Sequence, residues 1–151
     1  LTLGPALSRL TTVFPTRAAY LDFWHQHPAF ARGIDERMAD YFDYDLIEVD
    51  GGFVSSVVGD LVRDDVVSQL SPDVLPPALA RLRVPAVLLR APRGLLDQPE
   101  ALYTRAEAAE WEARLPLLRV VEVPDVNHYT IIFDQDAVNV VVAELRNPPA
   151  P

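Results

Sequence analysis

The sequence predicts an α/β protein: two parallel strands flanked by helices, preceded by a mainly helical region. Three observations predict this. Val84-Pro-Ala-Val-Leu-Leu-Arg90 is a short apolar run bounded by turn signals, and its poor alternation is that of a strand covered on both faces. A second run of the same kind, 117–123, follows after one helical stretch, and a further helical stretch closes the chain, so the order is β-α-β-α. Residues 1–75 differ in character, holding nine of the thirteen aromatics and no comparable run.

The elements follow in order. Thr16 is a candidate N-cap for a helix over 17–26, and Tyr20, Phe23, Trp24 and His27 fall at helical spacing on one face. Asp35 to Asp43 reads as a second helix with Met38, Phe42 and Tyr41 turned inward, and Gly51-Gly52 breaks the chain. A third helix is expected over 57–70, starting near Ser55 or Ser56, and a short one over 76–82. The strand at 84–90 carries Pro85 at its start, where the missing N–H is tolerated, and leaves through the loop Ala91-Pro-Arg-Gly94. A helix over 100–115 offers Leu102, Ala106, Ala109 and Ala113 to the sheet and stops at Pro116. After the strand at 117–123, Pro124-Asp-Val-Asn127 turns the chain. Asp134 caps a last helix to Arg146, whose stripe is Val138, Val141, Val142 and Leu145. The expected division is a helical region over 1–75, a β-α-β-α region over 76–147 and a frayed tail over 148–151.

Composition excludes several function classes. A net charge of -9 at pH 7 and a pI near 4.6 argue against nucleic-acid or anionic-membrane partners, which call for a basic face. The chain contains no cysteine, so it has neither disulfides nor a thiolate metal site. No apolar run is long enough to span a bilayer, and the N-terminus lacks the basic-then-apolar order of a signal peptide. The expectation is a cytoplasmic protein, or a piece of one that begins in mid-sequence. All thirteen basic residues are Arg, which with the Ala, Val and Pro content suggests a GC-rich bacterial genome. His25 and His27 lie two apart and face different ways on a helix, so no metal pair is expected. Asp64-Asp65 and the Asp40, Asp43, Asp45 cluster lack a calcium loop and read as a solvated acidic surface. No phosphate-loop pattern accompanies the glycines, and no cofactor is expected.

The segments Arg83-Val-Pro-Ala-Val-Leu-Leu-Arg-Ala-Pro-Arg-Gly-Leu-Leu-Asp97 and Val120-Val-Glu-Val-Pro-Asp-Val-Asn-His128-Tyr129 place an acid after one strand and a histidine after the next. This resembles the closing third of the α/β-hydrolase superfamily, where the chain order is nucleophile, acid, histidine. Residues 1–75 resemble the helical lid that precedes that third in many bacterial members. The resemblance implies a partial α/β-hydrolase fold, the C-terminal half, with His128 as general base. For the acid it leaves two candidates. Asp97 stands three residues beyond Gly94, the position that best matches the usual pattern; the other candidate follows a preceding strand that this chain lacks. Asp125 and Asn127 read as turn residues.

The family's Gly-x-Ser-x-Gly nucleophile elbow does not occur: Ser8, Ser55, Ser56, Ser68 and Ser71 lack its glycines. The resemblance therefore implies a hydrolase of ester, thioester or related acyl bonds that needs an N-terminal half as partner and takes a small apolar acyl substrate. Phe14, Tyr20, Trp24, Tyr44 and Tyr129 are the candidate substrate-lining residues. Two alternatives remain open: a lid-bearing binding module without chemistry, and a dehalogenase or epoxide hydrolase with an Asp nucleophile.

Overall fold

Why the chain turns where it does is clearest at its caps. In the computed structural model, which describes residues 7–71 and 73–147, the Thr16 hydroxyl accepts the Ala19 N–H at 3.0 Å and opens helix α1 (Arg17–His25). The Asp35 carboxylate does the same for Met38 at 2.9 Å, opening α2 (Glu36–Tyr44). Each cap satisfies a donor that the first helical turn leaves without a partner. His27 accepts the Ala29 N–H on Nδ1 and starts a single 3-10 turn over Pro28–Phe30.

The chain forms two units, Leu1–Leu70 and Ser71–Pro151; the boundary lies a few residues before the position near 75 read from the sequence. In the first unit, Phe14, Tyr20, Trp24, Phe30, Phe42 and Leu46 are buried together. Trp24 stacks on Phe42 with centroids 4.6 Å apart and meets Phe30 and Phe23 edge-on, geometries that the ring quadrupole favours. Tyr41 instead faces solvent, since the buried stripe of α2 runs through Phe42.

An antiparallel hairpin, β1 (Leu46–Val49) and β2 (Gly52–Ser55), follows α2, with Val49 opposite Gly52. It replaces the simple break expected at Gly51-Gly52. Gly51 has φ +88°, which suits the second position of a two-residue turn. At Gly52 a Cβ would sit 2.1 Å from the Phe14 carbonyl oxygen. Phe14 and Phe53 exchange both backbone hydrogen bonds there at 2.8 Å. Ser55 thus ends a strand rather than starting a helix, and α3 runs over Gly59–Leu70.

In the second unit α4 (Leu75–Leu79) leads to β3 (Ala86–Arg90), α5 (Arg105–Arg114), β4 (Leu118–Glu122) and α6 (Gln135–Arg146). Strands β3 and β4 are parallel neighbours, registered Ala86 on Leu118 through Arg90 on Glu122. Thr104 and Glu107 form a reciprocal capping box that fixes the start of α5. The buried face of α5 is not the alanine stripe expected from the sequence: Ala106, Ala109 and Ala113 are exposed, and Ala108, Trp111 and Leu115 turn inward. The larger apolar side chains take the core face because they remove more surface from water. On α6 Asp134 is the N-cap, as expected, accepting from the Asp136 and Ala137 N–H groups. The core of this unit is Val123, Val126 and Ala137, against which Leu89, Ala91, Ile131 and Val140 pack; Leu145, assigned to the stripe from the sequence, is exposed.

The opposite face of the strand pair is tied by charge. Arg90 is buried; its Nε donates to the Tyr103 carbonyl at 2.7 Å and its guanidinium pairs with Glu122, which Arg105 also meets. The expected tail, 148–151, lies outside the described residues.

Candidate functional site at the ends of the parallel strands

The two loops that leave β3 and β4 meet at the C-terminal edge of the pair, where open α/β sheets place their sites. Arg93 and Asn127 form an isolated parallel bridge between them, continuing the ladder past the last strand residues.

The first loop is a tight turn. The Gly94 N–H donates to the Gln98 carbonyl at 3.0 Å and the Asp97 N–H to the Gly94 carbonyl at 3.2 Å. A Cβ on Gly94 would lie 2.5 Å from the Glu100 carbonyl oxygen, so the turn leaves no room for a carboxylate at that position. The nearest carboxylate after the strand, Asp97, comes three residues later. Asp97 sits in the left-handed region at φ +62°, which Asp tolerates better than most residues. Its Oδ1 accepts from Arg93 Nε at 2.7 Å and from Asn127 Nδ2 at 2.9 Å.

The second loop is held by Asn127, which is 1% exposed. Its side-chain oxygen accepts the Tyr129 and Thr130 N–H groups at 3.0 and 2.9 Å, while its own N–H donates to the Thr130 hydroxyl at 2.9 Å. Arg93 Nη2 reaches the Asp125 carbonyl at 2.7 Å, beside a second left-handed residue, Asp125 at φ +60°. His128 stands between these bonds, in the turn between β4 and a 3-10 turn over Thr130–Ile132 that leads into α6. The ring is exposed and packs edge-on to Tyr129, centroids 6.2 Å apart.

Protein atoms crowding its loop desolvate the imidazolium and hold the His128 pKa below the usual 6.5. The imidazole is therefore neutral near pH 7 and able to accept a proton. Among the described residues, Asp97 reaches the histidine loop through Asn127, the residue immediately before His128, rather than through the imidazole itself.

The structure thus gathers His128, Asp97 and Tyr129 at one edge of the second unit. Phe14, Tyr20, Trp24 and Tyr44 belong to the first unit, where the first three are buried and Tyr44 is 87% exposed. Arg93 was not singled out in the sequence, although it stands four residues before Asp97. Asn127 reads as a turn residue; its signal is an Asn followed by the two N–H groups its side chain can accept.

Asp45, expected with Asp40 and Asp43 to lie on a solvated acidic surface, is instead mostly buried, because it holds the centre of a second polar cluster. Asp45 accepts from Arg9 at 2.8 Å, from Ser55 at 2.9 Å and from the Tyr20 hydroxyl. Burial, first, and the bond to Asp45 push the Tyr20 pKa up to about 12. Asp43, a neighbour in the same acidic run, pairs with Arg17 at 2.6 Å. These carboxylates tie the first unit together.

Neither the protein-family models nor the curated proteins give a match. Solved structures do. The crystal structure of E-2-(acetamidomethylene)succinate hydrolase superposes with a TM-score of 0.69 at 18% identity, over 94% of this chain and 51% of that one. A putative hydrolase from Rickettsia typhi gives 0.66 at 11% identity, over 96% and 47%. The thioesterase domain from the curacin biosynthetic pathway gives 0.56 at 15% identity, over 93% and 50%. At such identities the likeness establishes architecture. The chain spans about half the length of these structures, and its fold is a partial α/β-hydrolase fold.

Proposed function

We propose that this chain is the histidine-bearing half of an acyl-bond hydrolase, completed by an N-terminal half that brings the nucleophile and the oxyanion donors. The observation that carries the reading is the place of His128: an exposed residue on the loop after β4, a loop that Asn127 ties by hydrogen bonds to the Asp97 loop after β3. In this reading His128 takes the proton from the nucleophile's hydroxyl and returns it to the leaving group, and Asp97 supports it. A thioesterase among the structural neighbours favours ester or thioester substrates. The first unit acts as a lid that selects an apolar acyl group. Tyr44, whose side chain is exposed, is its proposed ligand contact, and Tyr129 flanks the proposed base. No helix among the described residues is long and apolar enough to cross a membrane, which suits a substrate reached from water.

The test is to express the chain joined to the segment encoded upstream of it and to assay p-nitrophenyl esters of increasing acyl length. Turnover together with fluorophosphonate labelling of an upstream serine supports the reading. Labelling of a serine within this chain overturns it by placing the nucleophile here, and an intact protein inert to every ester overturns it and favours a binding module.

A further inference from the structure

The histidine loop is held by one buried side chain, and that side chain is held by Asp97. Asn127 is almost fully enclosed, and both ends of its amide are engaged: Nδ2 donates to Asp97 Oδ1 at 2.9 Å, and Oδ1 accepts the Tyr129 and Thr130 N–H groups at 3.0 and 2.9 Å. The amide can stand in one orientation only. Flipped, its oxygen would face the carboxylate of Asp97 and its NH2 would face two N–H donors. The carboxylate of Asp97 is in turn aimed by Arg93, whose Nε donates to the same oxygen at 2.7 Å and whose Nη2 donates to the Asp125 carbonyl at 2.7 Å, two residues before Asn127. Asp125 and Asn127, the residues leading into His128, are thereby anchored to the loop after β3, and Asn127 bonds across His128 to the Tyr129 and Thr130 N–H groups.

We propose that Arg93, Asp97 and Asn127 form a latch that positions the His128 loop, so that Asp97 acts on the histidine through Asn127 rather than by a bond to the imidazole. Asn127 and Arg93 are positioning residues; neither touches the reacting atoms. The chemistry explains each type. A carboxylate at 127 would repel Asp97, and an aliphatic residue would leave two half-buried N–H groups without their acceptor. A lysine at 93 would lack the fork that spans Asp97 and the Asp125 carbonyl together. The latch's service to catalysis rests on reading His128 as the base; the latch itself is a property of this unit.

The test is made on the 151-residue chain, without any nucleophile. Asp97→Gly removes the carboxylate at a backbone position glycine adopts readily. Hydrogen exchange at the Tyr129 and Thr130 amides is compared with that at Val138, a first-turn amide of α6 bonded to the Asp134 carbonyl. The His128 ring is titrated by NMR. The latch predicts exchange at Tyr129 and Thr130 accelerated at least about fivefold relative to Val138, with the His128 pKa lowered by less than about one unit. Exchange accelerated less than this overturns the latch. So does a fall in the His128 pKa of one unit or more, which a carboxylate bonded directly to the imidazole would produce. Should the glycine variant fail to fold, Asp97→Asn, which also tolerates this backbone, is read by the same titration criterion alone. Failure here leaves the proposed reaction standing, since that is tested by turnover of the joined protein.

Discussion

Replacing Trp24 by alanine separates a core role from a substrate-wall role. The ring is 3% exposed. It stacks on Phe42 at 4.6 Å, meets Phe23 and Phe30 edge-on at 5.5 and 5.6 Å, and carries the Arg9 guanidinium at 5.3 Å from its centroid. Removing a side chain so enclosed costs about 3–5 kcal/mol, the transfer energy plus the cavity left behind. In a unit of this size each kcal/mol moves the melting temperature by roughly 4–8 °C. At a loss near 4 kcal/mol, Trp24→Ala lowers the transition of the first unit by roughly 15–30 °C. The assay is thermal unfolding followed by near-ultraviolet circular dichroism. Trp111, the second of the two tryptophans, reports on the other unit by fluorescence. A shift under about 5 °C, accompanied by selective loss of long-chain ester turnover in the joined enzyme, would refute the core reading and make Trp24 a pocket wall.

Further expectations follow from the polar groups. Asp45→Asn strips the charge facing Arg9, both side chains being mostly buried, and destabilises the first unit by about 2–3 kcal/mol in chemical denaturation. Asp43→Asn, breaking the exposed pair with Arg17, costs under about 1 kcal/mol. Tyr20 holds its proton in the fold to about pH 12, against 10.0 for the free group. The native state binds the proton more tightly, so stability is full below pH 10 and declines as pH rises through that window. Tyr20→Phe removes the decline in a pH series of denaturant midpoints. Desolvation holds His27 below 6.5, so the unfolded chain takes up a proton first and stability is lost as pH falls below 6.5; His27→Gln flattens that slope.

The parallel pair, its intervening helix, the caps at Thr16 and Asp134, and the place of His128 are legible because each has a local cause. A doubly covered strand reads as a continuous apolar run, and a cap needs one side chain at one position. The hairpin at 46–55 was not legible. Its strands are four residues each, with Ile47 and Val49 turned outward, too short for alternation to register. The rotated face of α5 was missed because the alanines formed a regular stripe while Trp111 supplied the larger area. The two polar clusters were illegible for a tertiary reason. Arg9 and Ser55 stand 46 residues apart, and Asp97 and Asn127 stand 30 apart, so nothing in the spacing announces that they meet. Asp97 is legible as one of two candidates for the acid from its place after a strand, but its partner is set by where the neighbouring loop lands.

The central claim is that His128 serves as the base of an acyl hydrolase. Its most direct test is steady-state ester hydrolysis by the chain joined to its upstream segment, with His128→Gln compared with the unaltered protein at equal folded concentration. The account predicts a fall in kcat of about 10²–10⁴-fold with unfolding midpoint and substrate binding retained. Activity within about threefold of the unaltered protein would contradict it.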